Sequence, residues 1–403
     1  MRKSLKRLSK ACFVAVIVFA IPAFAQSQAS TPAAPEPVAT LHFDLYNNRV
    51  YLPVEVEGHS FPMILDSGAA IAGVSQATAQ ILHLPAKGKA EIRGNGESLL
   101  PITLTKGVTF RLGAAEIAED KVAIMPFQDL EAREGRPVEG VLSVNVFRRY
   151  VVVTDYANRT LALYQPATFV YHGAGKVVAL HLSLFSGEVT IPGHDPLPVI
   201  LSVDYGTYSA LRLYRGFVQK HHLLEGLSPG IDSFGFGIGG EFPERLGRAA
   251  SLQIGGVTIN GPVTSFSTAK GGVTASSQGA DGTIGGGILS RFKVVLDYSR
   301  DQMILEPEAN LAEPFPADAS GLILQAGGPG LKNIAIRHVL TGTPAEAAGL
   351  HEGDIIVSVN DRDASELGLE AIRVLFYHPE VFRLTLKRGQ ETLVMQMTGR
   401  QLY

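Results

Sequence analysis

Two stretches of this chain are copies of each other. Residues 141–164 read VLSVNVFRRYVVVTDYANRTLALY, residues 283–306 read TIGGGILSRFKVVLDYSRDQMILE, and they align without a gap, 142 residues apart. Arg149 falls on Arg291, Val152-Val153 on Val294-Val295, Asp155-Tyr156 on Asp297-Tyr298, and Leu163 on Leu305. Each copy is an apolar β-branched run, a polar turn (Ala157-Asn158-Arg159 or Ser299-Arg300-Asp301) and a second apolar run, the pattern of a β-hairpin. Upstream, FPMILDSGAA with Asp66 matches LPVILSVDYGTYSA with Asp204, 138 residues on, and a small loop insertion absorbs the difference. In each, an apolar strand runs into Asp-x-Gly, and a helix is expected next, over 76–84 and 214–224. Self-similarity at a fixed spacing means one supersecondary unit used twice. Residues 40–168 and 169–310 are therefore expected to form two mainly β lobes.

A duplicated Asp has a chemical use. Peptide hydrolysis needs a base to activate water and an acid to protonate the scissile group. Two carboxyls about 3 Å apart cannot both ionise, so they share one proton and supply both roles. Asp66-Ser67-Gly68 and Asp204-Tyr205-Gly206, each ending an apolar strand, together with the later apolar-apolar-Gly element at Thr283-Ile284-Gly285, resemble the bacterial exported aspartic proteases of retropepsin-like and pepsin-like type. The resemblance covers roughly 270 residues and implies a bilobal β-barrel body with Asp66 and Asp204 as the catalytic pair. It implies that Ser67, Gly68, Tyr205 and Gly206 support the site, and that neither metal nor cofactor is used. The glycine after each Asp would permit close approach of backbone and substrate, and a Ser or Thr between them would bond across to the other lobe. Flap-like hairpins are expected at 93–97, where Asn95-Gly96 is a strong turn signal, and at 235–241. Two positions depart from the pattern. Tyr205 stands where a hydroxyl amino acid is expected, and Ser143 where the lobe-one copy of Gly285 is expected. These departures leave open a non-catalytic pair of lobes that binds peptide, or an envelope scaffold.

Past residue 318 the repeat is gone. The run Thr343-Pro344-Ala345-Glu346-Ala347-Ala348-Gly349-Leu350-His351-Glu352-Gly353-Asp354-Ile355-Ile356-Val357-Ser358-Val359-Asn360 closely resembles the signature of bacterial PDZ domains. An α+β PDZ domain is expected over 318–403, with strands at 321–325 and 333–339 and a helix at 365–376. The resemblance implies β-augmentation by an extended peptide. Ser320-Gly321-Leu322-Ile323 would hold its terminal carboxylate, and Leu322, Ile323, Ile372 and Phe376 would line its pocket. A PDZ domain that only packs on the lobes is the alternative.

Composition narrows the setting. A basic start (Arg2, Lys3, Lys6, Arg7, Lys10), an apolar run from Cys12 to Phe24 and Ala23-Phe24-Ala25 read as a secretory signal peptide over 1–25, followed by a flexible linker over 26–39. Cleavage after Ala25 takes five of the 35 Lys and Arg, leaving 30 against 38 Asp and Glu, a net charge of about −8. It also removes Cys12, the one cysteine, so no disulfide or thiol nucleophile is expected. The acidic mature chain, without basic runs, argues against nucleic acid as a partner. No later apolar stretch is long enough to span a membrane. His221-His222 lacks a third ligand at metal spacing, and no Gly-x-Ser-x-Gly or His-Glu-x-x-His motif is present. The reading is an exported, periplasmic or secreted chain that cleaves or holds polypeptide.

Overall fold

The computed structural model describes residues 35–275 and 279–403; the expected leader and cleavage site, with residues 26–34 of the expected linker, lie outside them. The chain is mainly β, with three lobe sheets and a C-terminal PDZ sheet. The first strand, Ala39–His42, already belongs to the body.

The copied hairpins meet at the centre. Strand Val151–Asp155 pairs antiparallel with Phe292–Asp297, and Val153 lies directly opposite its own copy, Val295. Val152 faces Leu296 and Thr154 faces Val294. Such a register is what a two-fold axis through the Val153–Val295 pair produces. The complete sheet runs Ala39–His42, Thr160–Tyr164, Val151–Asp155, Phe292–Asp297, Gln302–Pro307, Lys176–Ala179, and it ties the lobes together. Asp155 and Asp297 fix the hairpin turns: Asp155 accepts from the Asn158 N–H, and buried Asp297 accepts from the Ser299 N–H and from Arg300.

Each lobe repeats the same core topology. In lobe one, strand His59–Leu65 lies parallel to Gly140–Leu142, and Gly73–Ser75 lies parallel to Ala115–Met125. Lobe two has Leu197–Val203 parallel to Gly282–Ile284, and Leu211–Leu213 parallel to Val263–Ser267. Lobe one curls back on itself where Glu55 pairs with Arg111. The helices after the Asp motifs are shorter than expected, Gln76–Ile81 and Arg215–Lys220. Both stop for the same reason: His83 (φ 49°) and His222 (φ 53°) turn left-handed just past the last helical turn.

The PDZ sheet runs Leu322–Gly327, Asn333–Val339, Ile355–Val359, Val381–Arg388, Glu391–Thr398, with its own apolar core. Its helix, Ala364–Leu375, is interrupted at Gly368, where φ is 74°. Strand Leu322–Gly327 ends this path, and the lobe-one helix Gln128–Glu134 packs along it. Among the described residues no helix is long and apolar enough to cross a membrane.

Candidate active site

Asp66 and Asp204 leave their lobes at equivalent places. Each follows an inner strand, and its N–H is held by the neighbouring parallel strand: Asp66 by the Leu142 carbonyl (3.2 Å) and Asp204 by the Ile284 carbonyl (3.0 Å). The carboxyls are then aimed by the turns that follow. Asp66 Oδ1 accepts from the N–H groups of Gly68 (2.7 Å) and Ala69 (2.9 Å), and Asp204 Oδ1 from that of Gly206 (2.8 Å).

The glycines bring the two loops into contact. A Cβ at Gly206 would lie 2.3 Å from Asp66 Cγ, and one at Gly68 would lie 3.1 Å from Asp204 Oδ1. Each glycine thus sits against the carboxyl of the other lobe, with no room for a side chain at Gly206 and a tight fit at Gly68. Burial, and then the charge of Asp204, push Asp66 up to about 8. Burial raises Asp204 as well, opposed by the Gly206 N–H and by the positive charges of Arg212 and Arg49. Burial thus holds both carboxyls toward the protonated form, and the positive charges of Arg212 and Arg49 oppose this at Asp204.

The supporting residues differ between copies. Ser67 Oγ donates to the Val203 carbonyl (2.9 Å) and accepts from the Tyr205 N–H (3.1 Å), so the lobe-one hydroxyl does cross. Tyr205 has no equivalent contact. Its ring turns under the loop, 1% exposed, and packs on Phe147 at 5.2 Å between centroids, while its hydroxyl meets Thr154 Oγ1 at 3.1 Å. A buried phenol needs such a partner. Tyr205 thus fills the space between the lobes beneath the cleft.

Ser143 is accommodated too. A Cβ at its lobe-two copy, Gly285, would come 2.2 Å from Thr207 Cγ2. Lobe one has Ala69 in place of Thr207, and Ser143 Oγ donates to Glu119 Oε1 at 2.5 Å. The expected flap tips touch each other. Gly96 N–H donates to the Ile238 carbonyl (2.9 Å) and Ser98 N–H to the Gly239 carbonyl (3.1 Å). Glu97 Oε1 accepts from the Lys270 N–H at 2.6 Å.

The residues expected to bind a peptide terminus are engaged within the chain. Gly321 N–H donates to Asp318 Oδ2 (2.6 Å), and Leu322 N–H to Ser320 Oγ (3.0 Å). Ile372 and Phe376 are buried in the PDZ core. Leu322, Ile323 and Phe376 border a cavity of about 450 Å³ between the PDZ domain and the lobes. Arg133, on the lobe-one helix, reaches the Leu324 carbonyl (3.4 Å), and Arg373 Nη2 donates to the Arg133 carbonyl (2.5 Å). A Cβ at Gly135, which caps that helix, would strike Leu369 Cβ at 2.6 Å. The lobe-one helix end therefore lies against the PDZ edge strand and helix. The sequence reading missed Asp318, Arg49 and Glu134. Arg49 had a visible signal, a cation opening the apolar run RVYLPVEV.

Comparison with known proteins places two regions. Residues 52–146 match the aspartyl protease family, a span that includes Asp66 and ends before Asp204, and residues 316–381 match the PDZ domain family. The chain is similar to the periplasmic serine endoprotease DegP of Escherichia coli (strain K12), 26% identical over 166 residues, or 38% of this chain and 32% of DegP. It is also similar to the periplasmic pH-dependent serine endoprotease DegQ of the same strain, 30% identical over 146 residues, or 35% of this chain and 30% of DegQ. The chain thus spans about a third of the length of the curated relatives it matches. It carries a protease-like region and a C-terminal PDZ domain, and a PDZ domain implies a peptide ligand.

Proposed function

We propose that this chain is an exported aspartic endopeptidase, acting in the periplasm or outside the cell on polypeptide that its PDZ domain captures. The observation that carries the reading is the pair of equivalent Asp-x-Gly loops set against each other, each glycine seated on the opposite carboxyl. Catalysis then follows from one shared proton. Ionised Asp204 takes a proton from a water between the carboxyls, and the oxygen of that water bonds to the scissile carbonyl carbon. Asp66 gives its proton to the carbonyl oxygen, producing a neutral tetrahedral diol. Asp66, now ionised, takes back a hydroxyl proton while Asp204 protonates the departing nitrogen, and the C–N bond breaks. Positive charge from Arg49 and Arg212 keeps Asp204 the basic partner.

The similar proteins are named serine endoproteases, and that catalytic type is the competing reading. The aspartyl match across residues 52–146 favours the carboxyl pair, as does a Ser67 hydroxyl already committed to two backbone groups. The periplasm is favoured by the names of DegP and DegQ and by the leader-like first 25 residues. The deciding experiment is digestion of unfolded casein, followed by the appearance of new amino termini. Cleavage insensitive to a fluorophosphonate and lost in both Asp66→Asn and Asp204→Asn supports the aspartic reading. Cleavage blocked by the fluorophosphonate establishes the serine type, and absence of any cleavage leaves a peptide-binding module.

A further inference from the structure

The Asp204–Gly206 loop gives the lobe-one loop backbone no hydroxyl bond to match those of Ser67 with Val203 and Tyr205, because the Tyr205 phenol turns down to Thr154 of lobe one. A different side chain crosses at this place. Arg49 opens the strand Arg49–Val56 of lobe one and is 6% exposed. Its Nε donates to the Gly206 carbonyl of lobe two at 2.6 Å, and its guanidinium carbon lies 5.1 Å from the centre of the Tyr208 ring. Nη1 donates to Glu134 Oε1. Glu134 is 2% exposed and also receives Asn47 Nδ2 (3.0 Å) and the Tyr51 hydroxyl (3.2 Å). Arg49 is thus anchored on one side by a buried, fully occupied carboxylate and grips the catalytic loop on the other.

We infer that Arg49 is a positioning residue: anchored by Glu134, it holds the Asp204–Gly206 loop against lobe one in place of the missing hydroxyl bond. The inference rests on the aspartic reading of the pair. Two physical consequences separate it from a plain structural ion pair. The grip is on the carbonyl of the residue whose N–H aims Asp204 Oδ1, so loosening it displaces the base itself. The guanidinium charge also lowers the proton affinity of Asp204. The other titratable and charged groups facing Asp204 are Asp66, Arg212, Tyr214 and Tyr298, and those facing Arg49 are Glu134, Tyr51 and Tyr208.

The test uses the full chain and four variants. Arg49→Met should lower kcat by roughly 10²-fold, the cost of about 1 Å of misplacement, with KM changed less than about twofold. Its acidic limb should move to higher pH, because Asp204 then ionises later. Arg49→Lys should restore the pH limb while recovering little of kcat, since an ammonium keeps the charge without the fork. Adding Tyr205→Thr to Arg49→Met should recover part of kcat by supplying the second hydroxyl. Because Arg49→Met strands a buried carboxylate, Arg49→Met/Glu134→Gln is the fourth variant and should show the same kinetics. Titration of the aspartate ¹³Cγ signals reads the displaced ionisation without turnover. Unchanged kcat and an unmoved carboxyl titration in the folded variants would overturn the inference. If wild type and Asp66→Asn behave alike on casein, the peptidase reading fails, while the carbon titration still decides the Arg49 contact.

Discussion

Ser67 and Tyr205 occupy one position in two copies of a unit and do opposite things. The short hydroxyl stays in the loop plane and bonds the backbone of the opposite loop, whereas the phenol leaves that plane and meets Thr154 of the other lobe in the interior. Residue type and motif position were legible in the sequence for Asp66, Ser67, Gly68, Asp204 and Gly206. The direction of Tyr205 was not, because it depends on a space bounded by Phe147 and Thr154, more than fifty residues away in sequence. The same holds for Arg49, whose partner Glu134 lies 85 residues on. Ser67→Ala would leave the Val203 carbonyl and the Tyr205 N–H without their partner, at a cost of about 1–3 kcal/mol. A lower urea midpoint, with kcat falling further than a surface Ser→Ala control, is expected. Asp66 supplies a second prediction. Its folded-state affinity for a proton is raised by burial and by Asp204, so its contribution to stability is complete at low pH and is lost as pH climbs toward about 8. Each tenfold rise in proton affinity corresponds to about 1.4 kcal/mol. Melting of the wild type should therefore weaken between pH 4 and 8, and Asp66→Asn should flatten the curve. Parallel curves for the two proteins would contradict this account of Asp66.

Elements were more legible than contacts. The hairpin copies were visible as periodic apolar runs, and they became the central strands whose register places Val153 on Val295. The helices were placed correctly but drawn long, because apolar spacing does not reveal where His83 and His222 turn left-handed. The two flap candidates were visible as glycine-rich turns, but their meeting was not, since backbone-to-backbone contact leaves no residue pattern. A Cβ at Gly96 would lie 2.1 Å from the Gly239 carbonyl carbon, so glycine is required for the tips to join. Gly96→Ala is expected to part them. Amide exchange at Ser98 and at the substituted position 96, the two donors of these bonds, should quicken by about fivefold for each hydrogen bond lost, at roughly 1 kcal/mol per bond. Unaltered protection at Ser98 would mean that the tips are not held by these bonds.

At the scale of the whole molecule, the PDZ domain is packed onto the body along the strand that a peptide would extend. Arg133 and Gly135 of lobe one lie against its edge strand and helix, and Asp318 fills its terminal loop. The fold of this domain was legible from the run 343–360, but its docking was not, because the helix Gln128–Glu134 carries no sign of its target. Peptide capture at this strand, as proposed, would displace a contact within the chain and so weaken apparent affinity by the cost of opening. Arg133→Ala should tighten binding of a peptide with an apolar C-terminal residue by about fivefold, the equivalent of about 1 kcal/mol, read by fluorescence anisotropy on the full chain. Equal affinity would mean that the peptide site lies elsewhere. The claim on which everything else depends is that two carboxyls, one from each lobe, share the proton that cleaves the peptide bond. Its most direct measurement is the initial rate on a single-bond peptide from pH 3 to 9 for wild type, Asp66→Asn and Asp204→Asn. A wild-type rate that collapses as the pair loses its proton near pH 8, with both variants reduced by at least about 10²-fold at every pH, is the predicted result. A variant that keeps the wild-type rate, or a rate still rising above pH 8, would contradict it.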